Sequence, residues 1–288
     1  MIAMSSHRRL YRALSDGAGV LVSTLVTCML GAVVHPALGL ALFVAGLVVS
    51  AALLAGRGEE LAVRLLARAR RPQAYELAAL RPAIAVLQEH DLASEIRLLV
   101  RDGTGIRVGG AGRRTVLVSQ GLIEAAASRR VRPDEVAALL AHALGRVRLG
   151  QTKYDAALEF WLLPWRVLQS FARGVGRAVG WFPLTGLAWR LRFVMGLVAM
   201  VQGFAEGRGL FGVIGTVVVA ASYVVPWSAR QAELSSEDEA DAFVADAGLG
   251  DALSRFLERG RRTPGVLLRV HRLRAATVHE PQRPVLMS

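Results

Sequence analysis

The residues best suited to chemistry in this chain fall in two short stretches. Residues 132–150 read Arg-Pro-Asp-Glu-Val-Ala-Ala-Leu-Leu-Ala-His-Ala-Leu-Gly-Arg-Val-Arg-Leu-Gly. His142 and Arg146 are four apart, so on a helix they share one face. An imidazole at such a place can hold a metal or move a proton, whereas a guanidinium can only donate to anions. Residues 233–246 carry Glu233, Glu237, Asp238, Glu239, Asp241 and Asp246. Carboxylates so grouped can ligate a metal, accept protons or pair with arginine. They also suit a plainer role: Ser235 or Ser236 capping a helix whose first turn gathers acids at the positive end of its dipole.

The neighbouring sequence predicts the elements that hold these residues. Pro133 fits a first helical position and Asp134 and Glu135 the first turn. Val136, Leu139, Leu140, Ala143 and Val147 repeat at helical spacing, with His142 and Arg146 on the flank of that stripe, and Gly150 is a natural stop. Upstream, Thr115-Val-Leu-Val-Ser119 is short and β-branched, and Ile106-Arg-Val108 is a plausible partner strand. Gly109-Gly110 and Gly112 supply turn material, which together predicts a hairpin. Gly-Gly-x-Gly is not a phosphate loop here, because no Lys-Ser/Thr and no helix follow it.

Composition says where these elements must live. Hydrophobic residues make up 53% of the 288 residues, the formal net charge is +12, and Lys153 is the one lysine against 34 arginines. Mean hydropathy is +0.39. A chain this apolar is neither disordered nor fibrous, and a membrane protein with basic flanks reconciles the apolarity with the charge. A single cysteine, Cys28, excludes an internal disulfide framework and a Cys-rich zinc module. Residues 17–34 and 37–55 carry no charge and are each close to the roughly 20 residues that cross a bilayer. His35-Pro36 joins them. Arg8, Arg9 and Arg12 precede the first run, and Arg57, Arg64, Arg68, Arg70 and Arg71 follow the second, which places both ends on the cytoplasmic side. Two consecutive full-length runs, with no small-x-small cleavage site, argue against a signal peptide. A second apolar zone contains residues 187–205, a turn at Glu206-Gly-Arg208-Gly, and the charge-free residues 210–227. Before it, Phe160, Trp161, Trp165 and Leu168 alternate with Arg166 and Arg173 as in an interfacial amphipathic helix. The expected organisation is a cytoplasmic arm at 1–16 and a transmembrane hairpin at 17–55. The first part of a cytoplasmic domain then covers 56–155, an interfacial helix 156–186, a second hairpin 187–227, and the second part of the domain 228–288.

In this order the pieces resemble the HtpX and CaaX-prenyl-protease type of membrane zinc metallopeptidase. Val116-Leu-Val-Ser-Gln-Gly-Leu-Ile123 resembles that family's strand motif, and Asp134 to Arg146 its D-E-L-x-A-V-L-A-H-E-L-G-H helix. Glu239-Ala-Asp241 resembles its E-A-D acids, and Thr263-Pro-Gly-Val-Leu-Leu-Arg-Val-His-Arg-Leu273 its H-P-P-x-x-x-R-I-x-x-L tail. The resemblance implies a mainly α fold with a small β-sheet. It further implies an integral membrane, zincin-like (gluzincin) domain with about four transmembrane helices.

In HExxH enzymes two histidines on one helical face and a later glutamate hold Zn²⁺, and the motif glutamate is general base to the zinc-bound water. Carried over, His142 matches the first ligand, Glu239 the third and Asp241 a supporting acid. Ala143 stands at the base position and cannot take a proton. Arg146 stands at the second histidine and has no free lone pair. His7, His35, His90, His271 and His279 are not at ligand spacing from His142. No cofactor is therefore expected, with zinc only if the site functions despite these changes. A sharper expectation is that Arg146 pairs with Glu239, and also with Asp241, in place of the metal; the alternative is that Arg146 points to solvent. The resemblance also implies a strand that holds peptide main chain, here Arg107, Val108, Gly109 and Gly110, where the family's Asn-Ala-Phe is replaced.

Three readings follow. The first is a catalytically inactive HtpX-like protein, a pseudopeptidase of the inner (plasma) membrane. It would be multi-pass with both termini and the domain cytoplasmic, and would bind membrane-associated or misfolded polypeptides or regulate an active paralogue in protein quality control. The second is a zinc metalloendopeptidase with an atypical site. The third is a membrane-anchored binder of nucleic acid or anionic lipid. For nucleic acid the Arg-rich tail, with no aromatic-interleaved basic motif, is weak support.

Overall fold

The computed structural model describes residues 2–92, 97–179 and 191–278. The chain divides into two compact units, Met1–Val48 with Trp161–Leu234 and Val49–Phe160 with Ser235–Ser288.

The first unit is helical. Helix α1 (Ile2–Val34) and helix α2 (Pro36–Leu54) are separated by His35 alone. They close on each other because Gly31 and Gly39 lack side chains: a Cβ on Gly31 would sit 2.2 Å from the Gly39 Cα. Helix α8 (Leu163–Val179) follows later in the chain, after helix α7 (Asp155–Trp161), of which only Trp161 belongs to this unit. Trp161 Nε1 donates to Thr24 Oγ1 at 3.1 Å, and the Trp165 amide donates to Ser23 Oγ at 3.2 Å, so α1 is bound through its few polar side chains. Trp161 also meets Phe43 edge-on. Helix α9 (Arg192–Ala205) and helix α10 (Gly209–Asp246) are joined by the predicted turn.

Three helical stretches, Leu10–Val33, Pro36–Leu54 and Gly212–Asp246, are long and apolar enough to cross a membrane. Their surfaces agree: Leu21 is 73% exposed, Leu40 66% and Val218 62%, a display that water disfavours and lipid does not. The expected span at 187–205 is described only in part, residues 187–190 lying outside the described residues. The 14 residues of α9 rise about 21 Å, less than the roughly 30 Å of a hydrocarbon core. The described residues are thus mainly helical, with three candidate spans among them. Residues 156–186, expected to form one interfacial helix, contain two helices, α7 and α8, broken at Leu162, and their last residues lie outside the described ones.

The second unit builds a sheet covered by helices. Its strands are β1 (Ala69–Arg70), β2 (Arg97–Arg101), β3 (Val108–Ala111) and β4 (Thr115–Ser119), in the order β1-β2-β4-β3. β2 and β4 are parallel, while β1 and β3 flank them antiparallel, so the small sheet is mixed. Helix α3 (Glu59–Leu66), helix α4 (Ala74–Glu89), helix α5 (Gln120–Ala127), helix α6 (Pro133–Arg148), helix α11 (Gly250–Arg259) and helix α12 (Pro264–Val278) complete it. The core joins Val100, Val116 and Val118 of the sheet to Leu80 and Leu87 of α4, Leu140 and Leu144 of α6, and Leu253 and Leu273 beyond. Each such side chain contributes about 1.5–3 kcal/mol when fully buried. The Arg70 guanidinium grips buried Glu76 at 2.6 and 2.7 Å and holds that carboxyl below the usual carboxylate range.

Two local expectations are corrected. The partner strand of β4 is Val108–Ala111 rather than 106–108, and Gly109-Gly110 is strand, not turn. The reason is tertiary: a Cβ on Gly110 would lie 2.8 Å from Val147 Cγ2 and 3.0 Å from the Ala143 carbonyl, so only glycine lets α6 lie on β3. Ser235 and Ser236 do not cap a helix. They lie inside α10, because residues 227–234 contain no glycine or proline to stop it.

Candidate functional site

Helix α6 sits at the centre of the second unit. Pro133 is at its first turn as expected, Glu135 accepts the Arg132 amide at 3.0 Å, and Gly150 takes φ +67° just beyond its end. Val136, Ala137, Ala138, Leu140, Ala141, Ala143, Leu144 and Val147 are all buried. A helix apolar on so many sides belongs inside a core. Ala143 is 0% exposed and belongs to the main apolar cluster.

His142 and Arg146 are half-buried on the flank of α6. The structure brings His142 to Asp241 of α10: Nδ1 lies 3.0 Å from Oδ1. Asp241 is also gripped by Arg269 of α12, whose Nε and Nη2 donate at 2.7 and 2.8 Å. Arg269 Nη1 lies 3.4 Å from Glu237. Burial would lower the Arg269 guanidinium, but Asp241 beside it prevails and raises it. One carboxylate thus ties together α6, α10 and α12. Glu239, half-buried, accepts from Gln151 Nε2 at 3.0 Å, and the same amide reaches the Ser236 carbonyl at 3.4 Å. The Nε of Arg146 is buried.

Two contributors escaped the sequence reading. Gln151 is 3% exposed and joins the loop after α6 to α10, yet nothing in its local sequence marks it. Arg269 lies within the tail motif at the place of that motif's arginine, a signal that pointed to it without naming its partner.

The metal that the resemblance implies does not match these donors. Of the positions carried over, His142 and Glu239 offer lone pairs for a first shell, and Arg146 offers none. Catalytic zinc normally takes three protein ligands. Among the described residues no group of three or more His, Cys, Asp or Glu is arranged to hold a metal ion. His279 lies outside the described residues.

The edge strand β3 borders the same helix. The Arg107 amide donates to Ser119 Oγ at 2.9 Å and its carbonyl accepts the Ser119 amide at 3.0 Å, which extends the pairing with β4 by one residue. A cavity of about 520 Å³ runs along the strand, lined by Arg107, Val108, Gly109 and Gly110 together with Asp102 and Glu159.

Comparison with known proteins adds one relative. Over 157 residues the chain is 31% identical to a Pseudomonas entomophila protein named Protease HtpX, a match covering 52% of this chain and 43% of that one. The chain thus matches less than half the length of that relative. No family model and no solved structure matches. The similarity agrees with the resemblance read from the motifs. Independently of it, three helices among the described residues are long and apolar enough to cross a membrane.

Proposed function

We propose that this protein is an HtpX-like membrane pseudopeptidase that binds or regulates polypeptides at the membrane rather than cutting them. The observation that carries this reading is the environment of α6. The position of the general base is a methyl, Ala143, which cannot take a proton from water. One turn on, the position of the second ligand is an arginine. What remains of the site works as a fastening: Asp241 holds His142 and Arg269, and Gln151 holds Glu239. Arg146 in this reading balances Glu239, replacing the divalent cation as the bridge between α6 and α10. The edge of β3, with its cavity, is the place for an extended polypeptide to add main-chain hydrogen bonds. The polypeptides are membrane-associated or misfolded chains, or an active paralogue. The basic flanks of α1 and α2 support a reading in which both termini and the peptidase-like unit lie on the cytoplasmic side of the inner membrane.

The test is restoration. Arg146→His alone, and Ala143→Glu with Arg146→His, are purified in detergent beside the unaltered protein. The unaltered protein leaves casein intact, Arg146→His gains zinc, and the double variant gains proteolysis. Casein cleavage by the unaltered protein that chelators abolish would refute the proposal.

A further inference from the structure

Five arginines, Arg64, Arg71, Arg97, Arg113 and Arg114, converge on one cavity of about 590 Å³ in the second unit. That is within the roughly 300–1,000 Å³ typical of ligand pockets. Two carboxylates, Glu59 and Glu60, share the lining, so the cavity keeps an excess of positive charge. The carboxylates are already engaged. Glu60 takes Arg71 at 2.9 Å and Arg97 at 3.3 Å, and Glu59 takes the Arg113 amide at 2.5 Å. Arg64 acts on Glu60 through its charge alone, with no salt bridge or hydrogen bond to it; Arg64 and Arg114 are both exposed.

The cavity's location names its environment. Its wall begins at Ala55 and Gly56, directly after α2. Arg113 Nη2 donates to the Leu54 carbonyl at 2.5 Å, so the β3–β4 turn is fastened to the last turn of that helix. The 19 residues of α2 rise about 28 Å, nearly the full hydrocarbon thickness. With α2 across a bilayer, a cavity at its end would lie at the depth of lipid phosphates. Guanidiniums match phosphate oxygens with paired, charge-assisted hydrogen bonds.

We propose that this cavity binds the phosphate of an anionic phospholipid headgroup, with Arg64 and Arg114 supplying the uncommitted donors. The inference rests on α2 being a membrane span and is independent of whether the peptidase-like unit cuts, binds or does neither.

The full chain in neutral detergent micelles is titrated with tail-labelled phosphatidylglycerol and, separately, tail-labelled phosphatidylcholine. Phosphatidylglycerol binds the more tightly, and inorganic phosphate displaces it only at millimolar concentration. Each arginine near a membrane surface contributes a factor of about five, so Arg64→Gln with Arg114→Gln weakens phosphatidylglycerol roughly 25-fold. Arg261→Gln with Arg262→Gln makes the same charge change at exposed residues outside the cavity and leaves binding unchanged. Equal affinity for the two lipids overturns the proposal, as does an equal loss in the control pair. Displacement by micromolar inorganic phosphate reassigns the cavity to free anions, and displacement by a single-stranded oligonucleotide reassigns it to nucleic acid; either result overturns the lipid assignment.

Discussion

Asp241→Ala is the perturbation to which the candidate site is most sensitive. The carboxylate holds Arg269 through two hydrogen bonds of 2.7 and 2.8 Å and faces His142 at 3.0 Å. Arg269 is only 17% exposed, so removing its partner leaves a guanidinium with little water to turn to. Breaking a buried pair from one side costs about 3–5 kcal/mol. Glu237 at 3.4 Å still offers Arg269 an oxygen, which sets the expected loss near the lower end, about 3 kcal/mol. For a domain of this size each kcal/mol lowers Tm by roughly 2–4 °C, so thermal unfolding in detergent shifts down by about 6–12 °C. Asp241→Leu together with Arg269→Met, which removes both charges, recovers most of that loss. A Tm within about 2 °C of the unaltered protein for Asp241→Ala alone would refute the reasoning, since a fastening of three helices cannot be absent and unnoticed.

Other expectations follow from the same structure. Gly110→Ala forces a Cβ against Val147 and the Ala143 carbonyl and lowers stability by about 1–3 kcal/mol, read from thermal unfolding. Glu76 is held below its unfolded value of 4.5 by Arg70, so its contribution is present above that value and lost as pH falls through it toward the lower native value. Tm measured against pH therefore declines more steeply below pH 4.5 in the unaltered protein than in Glu76→Gln. Gln151→Leu removes the amide that reaches Glu239 and the Ser236 carbonyl, leaves them short of a donor, and lowers stability by about 1–3 kcal/mol in the same assay.

Much of this architecture was legible because its signals are local. Pro133, the apolar spacing through Val147 and Gly150 fix α6 within a few residues, and the uncharged runs mark α2 and the second half of α1, which begins earlier, at Ile2. Where reading failed, a distant contact decided. Gly109-Gly110 carries a turn signal, but both lie in β3, and Gly110 serves the approach of α6 to that strand. Ser235-Ser236 carries a capping signal, but nothing upstream ends the helix, so the serines are carried inside it. The roles of Gln151 and Arg269 depend on partners 88 and 28 residues away, and no local pattern encodes such a pairing. His142 and Asp241 were named from the motif order, and the fold brings them together; Asp241 proved to serve Arg269 as well.

The central claim is that the peptidase-like unit has exchanged a metal for arginine and amide contacts. It is tested most directly by the zinc content of the full chain, purified without chelator and dialysed against metal-free buffer. The account predicts zinc far below one ion per chain, with no rise in Tm when zinc is added. One zinc per chain, removable by chelator with a fall in Tm and restored on re-addition, would contradict it.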